Sequence, residues 1–177
     1  MVQPGDLVLV RSPGAIFAAG RRLTGNAYDH IAVVVQDDQT VNIDKPMSRR
    51  LPASRLLRSK LHPLVLRPAW RDEAARDGFV RWMESLVDLK YDARRTLRLL
   101  GSLALRRAGI VVPLIRPQPS ARRWICTDAV LLGLERYVSD LDTRDPSLDW
   151  QSLRCGTTND FLRLARARPD LLAQVMR

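Results

Sequence analysis

The feature that most constrains the fold is the stretch over residues 26–44, NAYDHIAVVVQDDQTVNID. β-Branched residues fill two short runs, HIAVVV and TVNID, and the acidic turn residues between them complete the pattern of a β-hairpin. His30 opens the first arm, and Asn42 lies on the second arm, twelve residues later. Because the partner strands of a hairpin can present two side chains to one pocket, the pattern predicts that His30 and Asn42 meet.

Further strands are predicted on both sides of the hairpin. Residues 5–12, GDLVLVRS, and residues 62–68, HPLVLRP, are short β-runs. Residues 13–27 mix glycines with apolar residues and predict a loop or a short helix. The polar stretch over residues 47–60 predicts irregular structure. All the predicted strands therefore lie before residue 70.

Helices are predicted in the second half of the chain. Apolar residues recur at helical spacing over residues 71–87, and a leucine- and arginine-rich helix follows. Another helix begins close to Cys126, and a last one covers residues 157–167 with Thr158 or Asn159 as its cap. The fold class is therefore α+β, a small antiparallel sheet packed against helices, and the β-runs argue against an all-helical bundle.

Length and composition favour one domain over residues 1–177. The chain has 177 residues and 46% hydrophobic content, enough for a core of its own. The opening MVQPGDLVLV lacks the basic and apolar segments of a signal peptide. No window holds the roughly 18 apolar residues of a spanning helix. We expect a protein made in the cytoplasm and not inserted in a membrane, and delivery to the envelope by another route stays open.

The net charge of +10 is concentrated in an Arg-rich insert at about residues 93–124. Residues 93–125 contain no acid and eight arginines: Arg94, Arg95, Arg98, Arg106, Arg107, Arg116, Arg122 and Arg123. A solvated face, an anionic membrane, an anionic cell wall and nucleic acid are all compatible with this charge. Trp124 is the only aromatic residue of the segment, and no helix-turn-helix or zinc-finger pattern occurs, which argues against nucleic acid.

Within this insert, TLRLLGSLALRRAGIVVPLI alternates apolar clusters with arginines. One hypothesis is a lid over the cleft, and another is docking on an anionic membrane or cell-wall surface. The arginines that would make the second contact are Arg94, Arg95, Arg98, Arg106 and Arg107. The alternative is an ordinary amphipathic helix packed on the core.

Cys126 lies where an apolar helix is predicted to begin, in RRWICTDAVLLGL. The positive end of a helix macrodipole favours a thiolate, which is the reactive form of cysteine. A histidine on a neighbouring strand can take and return the proton, and a third polar group can fix its tautomer. His30 and Asn42 fit these two roles, although a buried cysteine, a core histidine and a turn asparagine have the same sequence appearance. A Cys126–Cys155 bridge is the alternative in an oxidising compartment, and no spacing predicts a metal site.

The order of the motifs GDLVLV, YDHIAVVV, TVNI, KYD and WICTDAVL resembles the circularly permuted branch of the NlpC-type papain-like cysteine hydrolases. That branch includes the YiiX-like and the lecithin–retinol acyltransferase-like proteins, in which the strand and the hairpin precede the cysteine helix. The resemblance implies a circularly permuted papain-like fold, with Cys126 as the nucleophile and His30 as the base. It also implies that Asn42 is the third polar residue and that Tyr91 directs its hydroxyl toward the active site. The family more commonly has Cys-Ser-Glu or Cys-Ser-Gly where this chain has Cys126, Thr127 and Asp128.

Three functions follow from these observations. The first, implied by the resemblance, is a thiol hydrolase of the peptidase type that cleaves an amide bond in a peptidoglycan-type peptide through an acyl-thioester, with no metal or organic cofactor. The second is a lipid-directed acyl hydrolase or acyltransferase, which the leucine- and arginine-rich insert favours. The third is a non-catalytic module that binds an anionic surface. The sequence leaves the choice between a peptide and an acyl substrate open, as it does the oligomeric state.

Overall fold

The computed structural model describes residues 1–58, 61–112, 122–138 and 157–176. Within these ranges the chain forms strands and helices in the following order: β1 Leu7–Val10, α1 Ala15–Thr24, β2 His30–Gln36, β3 Gln39–Asn42, β4 Arg49–Pro52, α2 Ala53–Leu56, β5 Leu64–Pro68, α3 Glu73–Glu84, β6 Lys90–Tyr91, α4 Ala93–Arg107, β7 Arg123–Trp124, α5 Cys126–Tyr137, α6 Thr158–Ala167 and β8 Leu172–Met176. None of the helices in these ranges has the length and hydropathy of a membrane-spanning segment.

Six of the strands form one sheet in the order β4-β3-β2-β1-β5-β8, and every neighbouring pair is antiparallel. The predicted hairpin is β2 and β3, in which Val33 pairs with Val41. The strands β6 and β7 form a separate parallel pair, with Lys90 opposite Arg123 and Tyr91 opposite Trp124. The α+β class with an antiparallel sheet is confirmed.

The strand β1 lies inside the main sheet and is buried on both faces, so it is apolar at every position. Leu7 and Leu9 point into the larger core cluster, together with Phe79 of α3 and with Ala129 and Val130 at the start of α5. Val8 and Val10 point into a second, smaller cluster that includes Leu56 of α2. The alternation of side chains along a strand explains this division, because successive residues face opposite sides of the sheet.

Helices α3 and α5 approach each other closely through two glycines. A Cβ atom on Gly78 of α3 would lie 2.5 Å from the ring of Tyr137. A Cβ atom on Gly133 of α5 would lie 2.6 Å from the ring of Phe79. Both contacts are shorter than a side chain tolerates, so a glycine inside a helix is explained here by close packing. This packing fixes how closely α5, the helix that begins at Cys126, lies against α3.

Two local predictions are wrong. Residues 47–60, predicted as irregular, contain β4 and α2. The strand β4 pairs with β3 through its backbone while Arg49 and Arg50 face solvent, so its edge position gives no apolar alternation. The cap of α6 is Thr157 rather than Thr158 or Asn159. Its backbone N–H donates to Asp160 at 2.7 Å as part of a capping box.

Other local expectations have a definite outcome. Residues 13–27 contain the helix α1, and the last strand, β8, had no sequence prediction. Cys155 lies outside the described residues. Cys126 is a free thiol.

Candidate active site

Cys126 is the first residue of α5, and the small parallel ladder of β6 and β7 fixes the chain just before it. Ile125 is the N-cap, and the backbone N–H of Asp92 donates to the carbonyl of Trp124 at 3.0 Å. Tyr91 is opposite Trp124 in this ladder, and Trp124 is two residues before Cys126. The pairing therefore holds Tyr91 near the start of α5. The first N–H groups of a helix have no partner within the helix, so the Cys126 end of α5 offers hydrogen-bond donors.

His30 and Asn42 meet as the hairpin predicts. His30 is the first residue of β2, Asn42 is the last residue of β3, and the distance from His30 Nε2 to Asn42 Oδ1 is 3.0 Å. The Asn42 side-chain amide donates to the hydroxyl of Thr40 at 2.9 Å, and that hydroxyl donates to the carbonyl of Leu51 at 2.9 Å. Because these bonds orient the amide with its oxygen toward the ring, Nε2 must carry the proton. This leaves Nδ1 of His30 for another partner.

Cys126 is the largest influence on the electrostatics of His30 that favours its charged form. Burial alone would lower the pKa of His30, but the charge of Cys126 and a hydrogen bond to it oppose this effect. The hydrogen bond to Asn42 and the charge of Asp44 act in the same direction and raise the pKa of His30 to about 9. A pKa of about 9 keeps the imidazole protonated near neutral pH.

Tyr91 lies beside the same sulfur. Burial raises the pKa of the Tyr91 phenol, and the charge of Cys126 adds to the increase. The phenol therefore keeps its proton at neutral pH. The hydroxyl of Thr96 donates to the Tyr91 oxygen at 2.8 Å. The Thr96 hydroxyl is also 3.0 Å from the carbonyl of Asp92, so its single proton is shared between two acceptors.

A buried ion pair, which the sequence did not predict, holds α4 beside α5. Arg95 makes two hydrogen bonds to the carboxylate of Asp128, one of them from Nη2 to Oδ1 at 2.9 Å. Their side chains are only 11% and 2% exposed. Burial raises the pKa of the Asp128 carboxyl, and the bonds from Arg95 oppose this increase. Arg95 thus differs from the other arginines proposed to contact an anionic surface, because it points into the protein.

A small cavity of about 70 Å³ opens beside Cys126. Leucines of α4 form an apolar wall. The remaining lining is mainly polar and comes chiefly from the starts of α5 and α6 and from the segment before β2. The lining residues are Asn26, Asp29, Tyr91, Thr96, Leu99, Leu100, Leu103, Ile125, Cys126, Thr127, Thr157 and Thr158. Cys126 is otherwise buried, so this cavity is the approach to its sulfur that the described residues provide. The helix α4 of the Arg-rich insert borders it.

All four predicted site residues therefore lie in one region of the molecule, and their catalytic roles stay predictions. The signal for His30, Asn42 and Cys126 is local, in the hairpin and in the start of a helix. Asp128 and Thr40 belong to the same network but were not predicted as part of it. The signal for Asp128 was the single acid two residues after Cys126, following a long acid-free segment.

Comparison with known proteins gives a fold and no family. No family model matches the chain, and no curated protein matches it. Among solved structures, the crystal structure of metalloprotein YiiX from Escherichia coli O157:H7, DUF1105, matches with a TM-score of 0.51 and 13% sequence identity. The match covers 77% of this chain and 66% of that one, so it spans slightly less than two thirds of the YiiX chain. The chain therefore has a YiiX-like fold.

The description of YiiX as a metalloprotein raises the question of a metal site in this chain. In the described ranges, no three His, Cys, Asp or Glu side chains are grouped so that they could hold a metal ion. His30 and Cys126 are two donors, whereas protein zinc sites use three or four. This donor set does not fit a metal site.

Proposed function

We propose that the chain is a thiol hydrolase with a circularly permuted papain-like fold, which cleaves an amide bond through an acyl-thioester. The YiiX-like fold supports the architecture, and the motif order of the sequence supports the permutation. The observation that carries the proposal is the arrangement of His30, with Nε2 bound to Asn42 at 3.0 Å and with its pKa raised by Cys126. A histidine that only filled core space would need neither partner.

In the first half of the proposed reaction, the Cys126 thiolate attacks the carbonyl carbon of the scissile amide. The carbonyl oxygen becomes an oxyanion, for which the backbone N–H of Cys126 and the Tyr91 hydroxyl are the candidate donors. When the oxyanion collapses, the C–N bond breaks, and the His30 imidazolium gives its proton to the departing amine. The products of this half are a free amine, an acyl-thioester on Cys126 and a neutral His30.

In the second half, water attacks the thioester carbonyl, and His30 takes a proton from the water. Collapse of the second tetrahedral intermediate breaks the C–S bond and releases the acyl group as a carboxylic acid. The thiolate and the imidazolium are restored. Asn42 keeps the His30 ring in one tautomer and one orientation throughout both halves.

The first candidate substrate is a peptidoglycan-type peptide, as the family resemblance implies. A lipid acyl group is the second candidate, and the apolar wall of the cavity favours it: Leu99, Leu100 and Leu103 of α4 line the space beside the sulfur. An acyltransferase would use the same thioester and replace water by another acceptor in the second half.

Intact-protein mass spectrometry can test the proposal and separate the two substrates. The wild-type protein and the C126S variant are incubated with peptidoglycan stem-peptide fragments or with phospholipid vesicles. We expect hydrolysis of one substrate by the wild type, with an acyl adduct on Cys126 in early samples, and no product from C126S. The H62Q variant is the control, because His62 is an exposed histidine outside the site. Equal activity in C126S, or no acylation of Cys126 by either substrate, would leave the third function, a non-catalytic module.

A further inference from the structure

Helix α1 has an apolar side that nothing in the described structure covers. None of its residues is buried, although its sequence is AIFAAGRRLT. Ile16 is 86% exposed and Leu23 is 58% exposed. These two residues are seven positions apart and lie on the same face of the helix. A helix that turns such a face to solvent has an interaction surface rather than a core-facing stripe.

Helix α4 packs against α1 and also exposes large apolar side chains. The guanidinium of Arg107 lies against the backbone of Gly25, the residue that ends α1. Leu99 of α4 is buried, while Leu97 and Leu105 are 69% and 43% exposed. Leu97 and Leu105 are eight positions apart and also share one face. Two helices in contact with each other thus both carry exposed apolar residues.

The exposed arginines of these two helices make no ion pair with any residue that the structure describes. Arg22 of α1 and Arg94, Arg98, Arg106 and Arg107 of α4 are exposed and form no ion pair within the described part of the chain. Neither helix contains an Asp or a Glu. We define the α1–α4 face as the exposed side chains of these two helices. It combines large aliphatic groups with unpaired positive charge.

We propose that the α1–α4 face docks on an anionic lipid bilayer. Its leucines and Ile16 enter the interface between headgroups and acyl chains, and its arginines contact the lipid phosphates. A second copy of the chain is a poor occupant, since it would bring one acid-free basic face against another. An acidic protein would pair with the arginines but gives no reason for aliphatic residues between them. The proposal does not depend on the reaction at Cys126.

The first test is vesicle flotation, using phosphatidylcholine vesicles with and without about one third phosphatidylglycerol. We expect the wild type to bind the anionic vesicles and not the neutral ones. The R94Q/R98Q/R106Q variant should bind about 100-fold more weakly, since each arginine near the surface contributes about a fivefold factor. The matched control is R49Q/R55Q/R58Q, which removes the same charge from exposed arginines outside α1 and α4. The control should bind within about threefold of wild type, because its arginines do not belong to the α1–α4 face.

The second test concerns the apolar part of the face. The I16S/L97S variant should bind anionic vesicles about tenfold more weakly, whereas M47S/V175S, which changes two exposed apolar residues elsewhere, should bind like wild type. Circular dichroism checks that all the variants are folded. Equal losses in the two arginine variants, equal binding to both kinds of vesicle, or binding to polyglutamate in preference to anionic vesicles would each overturn the proposal.

Discussion

The imidazole of His30 and the side-chain amide of Asn42 are held at 3.0 Å by a network that continues through Thr40 to the backbone of β4. This network explains how the residue at the end of a hairpin strand is fixed in one orientation. Asn42 thereby fixes the tautomer of His30. Several measurable consequences follow from this arrangement and from the ion pair behind it.

Substitution of Asn42 should slow the chemistry of Cys126. In N42A, the His30 ring loses its fixed orientation and one of the interactions that raise its pKa. We expect alkylation of Cys126 by iodoacetamide near neutral pH to slow by about tenfold or more. N42D should retain most of the rate, since a carboxylate also accepts from Nε2. The control is Q36A, an exposed position on the same hairpin, and an N42A rate equal to that of Q36A would contradict the assigned role.

The titration of His30 should depend on Cys126. The chain has two histidines, so the H62Q variant assigns the ring signals in an NMR titration. In the wild type, the signal of His30 should follow a pKa of about 9. In C126A, the sulfur is gone while burial still opposes the charge, so the pKa should fall by about one unit or more. An unchanged titration in C126A would show that the sulfur and the ring do not interact.

The same shift predicts how stability depends on pH. The pKa of His30 is raised from 6.5 to about 9 on folding, so the folded state holds the proton more tightly than the unfolded state. The stabilisation is complete below about pH 6.5, declines between there and pH 9, and is lost above pH 9. Denaturant unfolding of the wild type and H30Q should therefore show a difference in free energy, on the order of a few kcal/mol, that shrinks as the pH rises. A difference that grows over this range would have the wrong sign.

Removing one partner of the Arg95–Asp128 ion pair should destabilise the fold more than removing both partners together. In R95M, the Asp128 carboxylate is left buried without its partner, which costs about 3–5 kcal/mol of unfolding free energy. The R95M/D128L double variant should be more stable than R95M, because both charges are removed together. R94M changes the exposed neighbour and should cost about 0.5 kcal/mol or less. Equal stability of R95M and R94M in denaturant titrations would mean that the pair carries little energy.

The sequence predicted those parts of the site whose signal is local. His30 and Asn42 are brought together by one hairpin, whose β-branched arms and acidic turn are visible within a single stretch of chain. Cys126 begins a helix with an apolar pattern of its own. In contrast, the pair of Arg95 and Asp128 joins residues that are 33 positions apart. It depends on how α4 lies beside α5, which local pattern does not determine.

The misassigned elements have a related explanation. The strand β4 is an edge strand with exposed arginines, so its backbone pairing is specified by β3 rather than by its own side chains. The apolar residues of α4 were equally compatible with core packing and with a surface role. The structure divides them, with Leu99 buried and Leu97 exposed. Helical spacing alone could not distinguish the two sides, because both carry leucine.

The two-residue ladder of β6 and β7 has a consequence for how this kind of protein can diversify. Lys90 and Tyr91 are paired with Arg123 and Trp124, so the chain leaves this point after β6 and returns to it with β7. The entropic cost of closing a loop grows only slowly with its length. Insertions and deletions between the end of α4 and β7 are therefore compatible with fixed positions of the tyrosine and the cysteine, whereas α4 itself must keep Arg95 opposite Asp128. Engineering of a longer or shorter connection would best begin after α4.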